Sequence, residues 1–331
     1  MRKKIFIIND GTLKRKSNTL LFNRIDGKNF FIPVKDVNSL FAFGELNLNK
    51  RTLEFLAKND ISLHFYNRFG FYVGSFIPKR HYNAGIITLK QAEFYLHSQK
   101  RLSLAKKFVE GALKNMMVVL NYYKNRQVEL TYEIESLNSF LVKANLAENV
   151  EQLMGIEGNA KEVYYYSFNK IIKDDAYHYT GRSRKPPLTK LNSLISFGNS
   201  LLYAIILSEI YKTRLDPRIG YLHSTNGRKF SLNLDISELF KPLIVDRVLF
   251  TLINKEMLDT NDFIKHLNGL FLSESGKKKF LAEMERHLTS TIKHKTLNRE
   301  ITYQSLIRME LYKLEKHLIQ DEEYMPFVMW W

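Results

Sequence analysis

Residues 88–116 read T-L-K-Q-A-E-F-Y-L-H-S-Q-K-R-L-S-L-A-K-K-F-V-E-G-A-L-K-N-M. Phe94, Leu96, Leu102, Ala105, Val109, Ala112, Leu113 and Met116 recur at roughly helical spacing, while Lys100, Arg101, Lys106, Lys107 and Lys114 fill other positions. That pattern predicts helix with one apolar face, and it divides the chain in two. Before it lie short runs of β-branched and aromatic residues at 4–9, 20–23, 30–33, 39–43, 61–66 and 71–77, which read as strands. Asp10-Gly11 is a turn pair, and Asn67-Arg68-Phe69-Gly70 is a hairpin turn. One helix interrupts the strands at 50–58, with Asn49 as its cap and Leu53, Leu56 and Ala57 on one face. After it, helical patterns continue at 128–146, 150–172, 191–211, 239–252, 260–271, 276–294 and 303–319. Residues 174–190 have no helical pattern and read as an exposed loop. The fold class is therefore α+β: a small N-terminal β-domain, residues 1–80, followed by a larger all-α domain, residues 81–331.

The charge points to the partner class. The chain has 331 residues and a formal net charge of +16. Residues 1–80 hold 15 Lys or Arg against 6 Asp or Glu, so the excess is spread along the chain and not confined to a tail. A polyanion is the expected partner; a lysine-rich composition that serves only solubility is the plainer alternative. Zero cysteine excludes disulfides and thiolate metal sites. The N-terminus M-R-K-K-I-F-I-I-N-D starts like a signal peptide, but its apolar run stops after four residues. The longest apolar run, 201–207, is far short of the ~20 residues of a membrane span. These features predict a cytoplasmic protein.

Two carboxylates and an imidazole stand out in otherwise apolar sequence. Glu157 lies in L-M-G-I-E-G-N-A, His223 in D-P-R-I-G-Y-L-H, and Asp235 and Glu238 in F-S-L-N-L-D-I-S-E-L-F-K-P. Glutamate and histidine without cysteine suit a hard divalent cation with open positions, manganese well and magnesium acceptably. With a basic chain around it, a phosphate-containing substrate follows, and the reading is a metal-dependent nuclease or strand-transfer enzyme acting on DNA. If 158–172 is helical, Glu157 shares a stripe with Ala160, Tyr164, Phe168 and Ile171 and points inward; a helix-end glutamate paired with an arginine is the alternative. Gly155 and Gly158 each cost that helix about 1 kcal/mol relative to alanine, tolerable where another backbone or a nucleic acid approaches closely.

Asp235 and Glu238, three residues apart, share a helix face, but Asp-x-x-Glu also reads as a capping box with Asp235 as N-cap. His223, in a loop, is alternatively a solvated side chain. Arg182, Arg184 and Lys185 in the 174–190 loop, and Arg228 and Lys229 after His223, are candidate phosphate contacts, with solvated surface charge the default for any single one. Of Tyr164, Tyr165 and Tyr166, one is a candidate to reach the site and the others are core. Neither a Walker loop nor a dinucleotide glycine fingerprint occurs.

The order of these motifs resembles the CRISPR-associated endonuclease that integrates new spacers. The stretches R-S-R-K-P-P at 182–187 and N-S-L-I-S-F-G-N-S-L-L-Y at 192–203 resemble it too, and the terminal P-F-V-M-W-W at 326–331 resembles one bacterial branch. The likeness runs from G-T-L-K-R-K-S-N-T-L at 11–20 to the end. It implies Glu157, His223 and Glu238 as ligands of Mn2+ or Mg2+, with Asp235 as an accessory catalytic group. It further implies a homodimer through the β-domains and a heterohexamer with a small ferredoxin-like adaptation partner. The substrates would be double-stranded DNA, a prespacer and a repeat array, joined by 3′-hydroxyl attack. A hydrolytic nuclease on branched or single-stranded DNA, and a non-catalytic nucleic-acid scaffold, are the competing readings.

Overall fold

Apolar side chains alternate along the first strands, and the alternation sends each side of one sheet into a different core. The computed structural model describes residues 3–78, 85–225, 230–294 and 298–330. Its first part holds strands β1 (Lys3–Ile7), β2 (Gly11–Lys16), β3 (Thr19–Arg24), β4 (Asn29–Ile32), β5 (Val37–Ala42) and β6 (Leu46–Leu48), helix α1 (Lys50–Lys58), and strands β7 (Ser62–Tyr66) and β8 (Tyr72–Phe76). They form two four-stranded sheets, ordered β1-β5-β7-β8 and β4-β3-β2-β6. In the first, β1, β5 and β7 run parallel and β8 returns antiparallel. Leu40, Ala42 and Leu63 face a small core with Leu13, Leu20 and Leu56. Phe41, Phe43 and Tyr66, on the opposite face, belong to the large helical core. Phe43 stacks on Tyr66 with centroids 4.4 Å apart and meets Phe197 at 5.6 Å.

Two strands differ from the sequence expectation. Gly11 opens β2 and does not complete a turn, and β6 was not foreseen. β2 reads G-T-L-K-R-K, which lacks the apolar enrichment that marks a strand and is held by pairing with β3, while β6, L-N-L, is only three residues long and pairs with β2. The Asn49 side chain does cap α1, accepting from Thr52 N–H at 3.0 Å.

The second part is mostly helical: α2 (Gly85–Leu96), α3 (Ser98–Lys124), α4 (Thr131–Leu146), α5 (Val150–Tyr166), α6 (Phe168–Ile171), α7 (Lys190–Ile210), α8 (Ser231–Phe240), a π-helical turn over Lys241–Asp246, α9 (Arg247–Asn254), α10 (Glu274–Thr289) and α11 (Tyr303–Leu318). It is not all-helical, however. Residues 260–271 form a 3-10 turn and the hairpin β9 (Phe263–His266) and β10 (Gly269–Leu272), and a second hairpin pairs β11 (Thr291–Lys293) with β12 (Glu300–Thr302). The sequence pattern at 260–271 misleads because Phe263, Leu267 and Phe271 fall at four-residue steps. Asn268-Gly269 beside that pattern is a hairpin signal, and the pairing of Gly269 with His266 leaves a two-residue turn. The single helix expected over 88–116 breaks at His97, whose ring accepts from Lys100 N–H and caps α3.

Helix α7 is long and apolar enough to cross a membrane, with mean hydropathy 1.4. It is instead the central helix of the core: Leu191, Leu194, Ile195, Leu201, Leu202 and Ile205 are all buried. The chain end lies against α3 and α8. The Asn115 amide nitrogen donates to Leu239 O at 3.0 Å and Phe327 O at 2.9 Å, and its oxygen accepts from Met329 N–H at 2.9 Å. Replacing Asn115 by Leu strands three buried backbone groups, at a net cost of roughly 1 kcal/mol each. The variant is expected to lose about 3 kcal/mol of stability in urea unfolding. An unchanged midpoint would mean that the tail contributes nothing to the fold.

Candidate functional site

Helix α5 supplies the first acid. The Asn149 side chain caps it by accepting from Gln152 N–H at 2.8 Å, and the stripe Leu153, Glu157, Ala160 and Tyr164 is buried, continuing into Phe168 of α6. Glu157 thus enters the core from the edge of an apolar face. Gly155 and Gly158 do not serve a protein contact: a Cβ at either would meet no atom within 4 Å.

The imidazole is placed by a single carboxylate. Asp235 is fully buried on α8, and its Oδ2 accepts the N–H groups of Tyr221 at 2.5 Å and Leu222 at 3.1 Å. Its Oδ1 accepts His223 N–H at 3.0 Å and His223 Nδ1 at 2.8 Å. Because an ionised carboxylate only accepts, Nδ1 carries the ring proton and Nε2 is the acceptor nitrogen. Gly220 has to be glycine for the loop to lie this close, since a Cβ there would sit 2.5 Å from the Ser231 carbonyl carbon and 2.7 Å from Asp235 Oδ2. Asp235 is therefore not an N-cap. Helix α8 begins four residues earlier, at Ser231, and Asp235 caps the neighbouring loop from within the helix.

Two lysines complete the site. Lys161, one turn on from Glu157, contacts that carboxylate and reaches Glu238 Oε2 at 2.7 Å; Lys241 donates to Glu238 Oε1 at 2.7 Å. Burial pushes the Glu238 carboxyl up, but Lys161 and Lys241 outweigh it and hold the group well below the usual carboxylate range. Burial likewise pulls the Lys161 ammonium down, and Glu238 and Glu157 overcome it, raising the group above its ordinary value. Glu157, Lys161, His223, Glu238 and Lys241 all line one cavity of about 1160 Å³. Neither lysine was singled out from the sequence, although Glu-x-x-x-Lys and Glu-x-x-Lys spacings on helices were there to be read.

The donor set suits a hard cation in kind. Glu157 Oε1 and Glu238 Oε2 are buried without a well-aligned hydrogen bond, and the His223 ring, held at Nδ1 by Asp235, leaves Nε2 to face a ligand. Among the described residues, no three acidic or histidine side chains already form a metal shell; the Lys161 ammonium lies between the two glutamates.

The candidate DNA contacts separate. Arg182 also lines the cavity but is tied down: it donates to Ser183 O in its own loop and, on α7, to Asn192 Oδ1 at 2.9 Å and Ser196 Oγ at 3.0 Å. Arg184 and Lys185 are exposed and line the cavity. Arg228, Lys229 and Trp331 lie outside the described residues. Of the three tyrosines, Tyr164 is core and donates to Asp246 Oδ2 at 3.1 Å, Tyr165 borders the cavity, and Tyr166 is exposed.

Comparison with known proteins places this geometry. The family model described as CRISPR associated protein Cas1 matches residues 5–286. A protein of Thermodesulfovibrio yellowstonii named CRISPR-associated endonuclease Cas1 2 is 48% identical over 331 residues, covering 100% of each chain. The solved structure of a Cas1 protein from Thermotoga maritima superposes with TM-score 0.89 at 45% identity, covering 97% of this chain and 98% of that one. A casposase bound to an integration product gives TM-score 0.90 over 98% of this chain and 93% of that one, a likeness of fold at 22% identity.

Asp246, at the end of the π-helical turn, gives this site a pH test. Burial pushes its carboxyl up to about 7, against the opposing pull of the Tyr164 hydroxyl and Lys241. In the unfolded chain the group titrates near ~3.9, so between those values the folded state binds the extra proton. Stability contributed by this group is then lost as pH rises from about 4 to about 7 and stays lost above. Asp246→Asn is expected to gain stability relative to the parent progressively over that window, read from urea midpoints at several pH values. A difference that does not change with pH would show that Asp246 ionises normally in the fold.

Proposed function

The chain belongs to the CRISPR-associated Cas1 family, and we propose that it is a metal-dependent DNA endonuclease and integrase that inserts short duplexes into a repeat array. The observation that carries the reading is one cavity in which two buried glutamates and an Asp235-held imidazole face an exposed basic rim. Glu157, Glu238 and His223 would hold a divalent cation, Mn2+ or Mg2+. Such an ion supplies charge stabilisation on the phosphodiester oxygens. Asp235 keeps the His223 acceptor nitrogen directed away from its own loop, and its four accepted hydrogen bonds lock the ring orientation. Lys161 and Lys241 hold Glu238 ionised and place positive charge beside the phosphate. In the joining step the 3′-hydroxyl oxygen of the donor bonds to phosphorus in line and gives up its proton to water. The bond to the 3′-oxygen of the target strand breaks, and that oxygen leaves as a hydroxyl by taking a proton from water. Arg184 and Lys185 on the rim neutralise flanking phosphates.

Residues 1–80 would serve as the dimerisation and DNA-contact domain and 81–331 as the catalytic domain. Edge strand β4 supports a homodimer there: Phe30 and Phe31 are exposed, the latter 58%, beside Ile25. Double-stranded DNA, a second copy and a small ferredoxin-like adaptation partner, as a heterohexamer, make up the assembly, acting in the cytoplasm.

Glu157→Gln, Glu238→Gln and His223→Ala are each expected to lower manganese-dependent DNA cleavage by roughly a hundredfold or more, beyond the ten- to hundredfold typical of losing an outer partner such as Asp235. Circular dichroism checks the fold, and full activity of any one variant at saturating manganese removes that residue from the site. Blocking the donor 3′ ends with dideoxynucleotides is expected to stop joining to a repeat-containing plasmid. Equal nicking without a covalent joint product would make the protein a hydrolytic nuclease. DNA affinity should fall linearly in log–log salt plots, and Arg184→Ala with Lys185→Ala should reduce the slope by roughly 2. A slope near zero would instead indicate a scaffold that binds protein.

A further inference from the structure

The hairpin of β9 and β10 ends in an unusual residue for its place. Its two-residue turn is Leu267-Asn268, and Leu267 has φ of +49°, a left-handed backbone that favours glycine or asparagine. Its side chain is 90% exposed, the most exposed large apolar residue among those described. A leucine here costs the free protein twice, in backbone strain and in apolar surface left in water.

The stem beneath that tip is braced. Gly269 packs so closely on Pro186 that a Cβ would lie 2.5 Å from the proline Cβ, and Leu270 N–H donates to Pro187 O at 2.8 Å. The His266 ring lies 4.7 Å from Phe69, which in turn lies 4.8 Å from Phe271. His266, Leu267 and Asn268 all line the same cavity as Glu157 and Glu238. A rigid stem therefore presents one apolar side chain into the mouth of the cavity. The charges around it decide what it meets: Arg184 and Lys185 on the adjoining loop and Lys265 on β9 are exposed cations. An apolar protein surface would have to desolvate them, whereas a nucleic acid offers phosphates to the cations and base faces to the leucine.

We infer that Leu267 is a wedge that inserts between bases of the DNA beside the reacting phosphate, unstacking that step so that a strand end or branch point enters the cavity. This rests on the DNA-processing reading above. It makes Leu267 a positioning residue, one that selects opened or kinked DNA over continuous duplex. Unstacking costs a few kcal/mol per step, and the Arg184, Lys185 and Lys265 contacts to the flanking phosphates offset it.

The test uses full-length protein, with EDTA present so that no cutting intervenes, and forked DNA carrying 2-aminopurine at successive positions around the junction. The same DNA labelled with fluorescein reports affinity by anisotropy. The parent protein is expected to raise 2-aminopurine fluorescence about threefold or more at one position next to the junction, as unstacking requires. Leu267→Asn and Leu267→Gly, both compatible with the left-handed backbone, should melt no lower than the parent and bind within about threefold, yet lose the fluorescence rise. Leu267→Phe should keep it. A rise that survives in Leu267→Asn overturns the wedge while leaving the DNA reading intact. So does a lower melting temperature in both variants, which would make the residue structural, or a collapse of affinity, which would make it a simple binding contact. If the parent protein itself binds no DNA, the wedge and the DNA reading fall together.

Discussion

Carboxylates inside a helical core need a cation or hydrogen-bond donors beside them, and much of this structure follows from meeting that need for Glu157 and Glu238. Taking a carboxylate out of water costs several kcal/mol even after relaxation. Here the two glutamates approach from different helices, α5 and α8, so a counter-ion must bridge the gap between the helices to serve both. Lys161 spans them, and Lys241 binds the remaining oxygen of Glu238 from the first residue of the π-helical turn. The widened turn also carries Pro242, which has no N–H to place, and ends in Asp246 against the Tyr164 hydroxyl. The register change after Phe240 thus lets one continuous stretch of chain point a lysine toward Glu238 and an aspartate toward α5.

Asp235 answers a different demand. Three consecutive backbone N–H groups, from Tyr221 to His223, are buried in a loop without helical or strand partners. A loop cannot bury such donors unless something accepts from them. One carboxylate accepts all three and the imidazole as well, so holding the loop and orienting the histidine are a single interaction. Arg101 Nε donates to Tyr221 O at 3.0 Å and ties the same loop to α3. A side chain with fewer acceptor positions at 235 would release the loop and the ring together.

The cavity also depends on how the first sheet meets the helices. Strands β5 and β7 send alternate residues to opposite faces, so the sheet is cored on both sides. On the helical side it even buries polar groups: His64 contacts Ser62 at 3.1 Å and Ser75 at 2.6 Å, and burial holds its pKa down at about 3, so it stays neutral there. The Asn67–Phe71 turn that follows β7 reaches the cavity rim, where Phe69 supports the β9–β10 hairpin. The rim therefore combines three segments distant in sequence, one of them from the N-terminal sheets.

Local periodicity was enough to show where strands give way to helices, because a period of 2 and a period of 3.6 are properties of neighbouring residues. It also placed Glu157 on the inward stripe with Ala160 and Tyr164, and Asn49 as the cap of α1. Residue types alone pointed to a hard-cation donor set and, with the excess of lysine and arginine, to a phosphate-bearing partner. What local pattern could not decide was anything settled by a partner far along the chain. The apolar four-residue steps at 260–271 look helical until β10 is seen packed on α7 and bonded to Pro187. Asp-x-x-Glu at 235–238 looks like a cap until α8 is found to start at Ser231 and the 220–223 loop is found on Asp235. Lys161 and Lys241 look like surface charge until the two glutamates meet between them. Each of these is decided by burial against a remote segment, which sets the energy of a charge or an unpaired N–H and exists only in the folded chain.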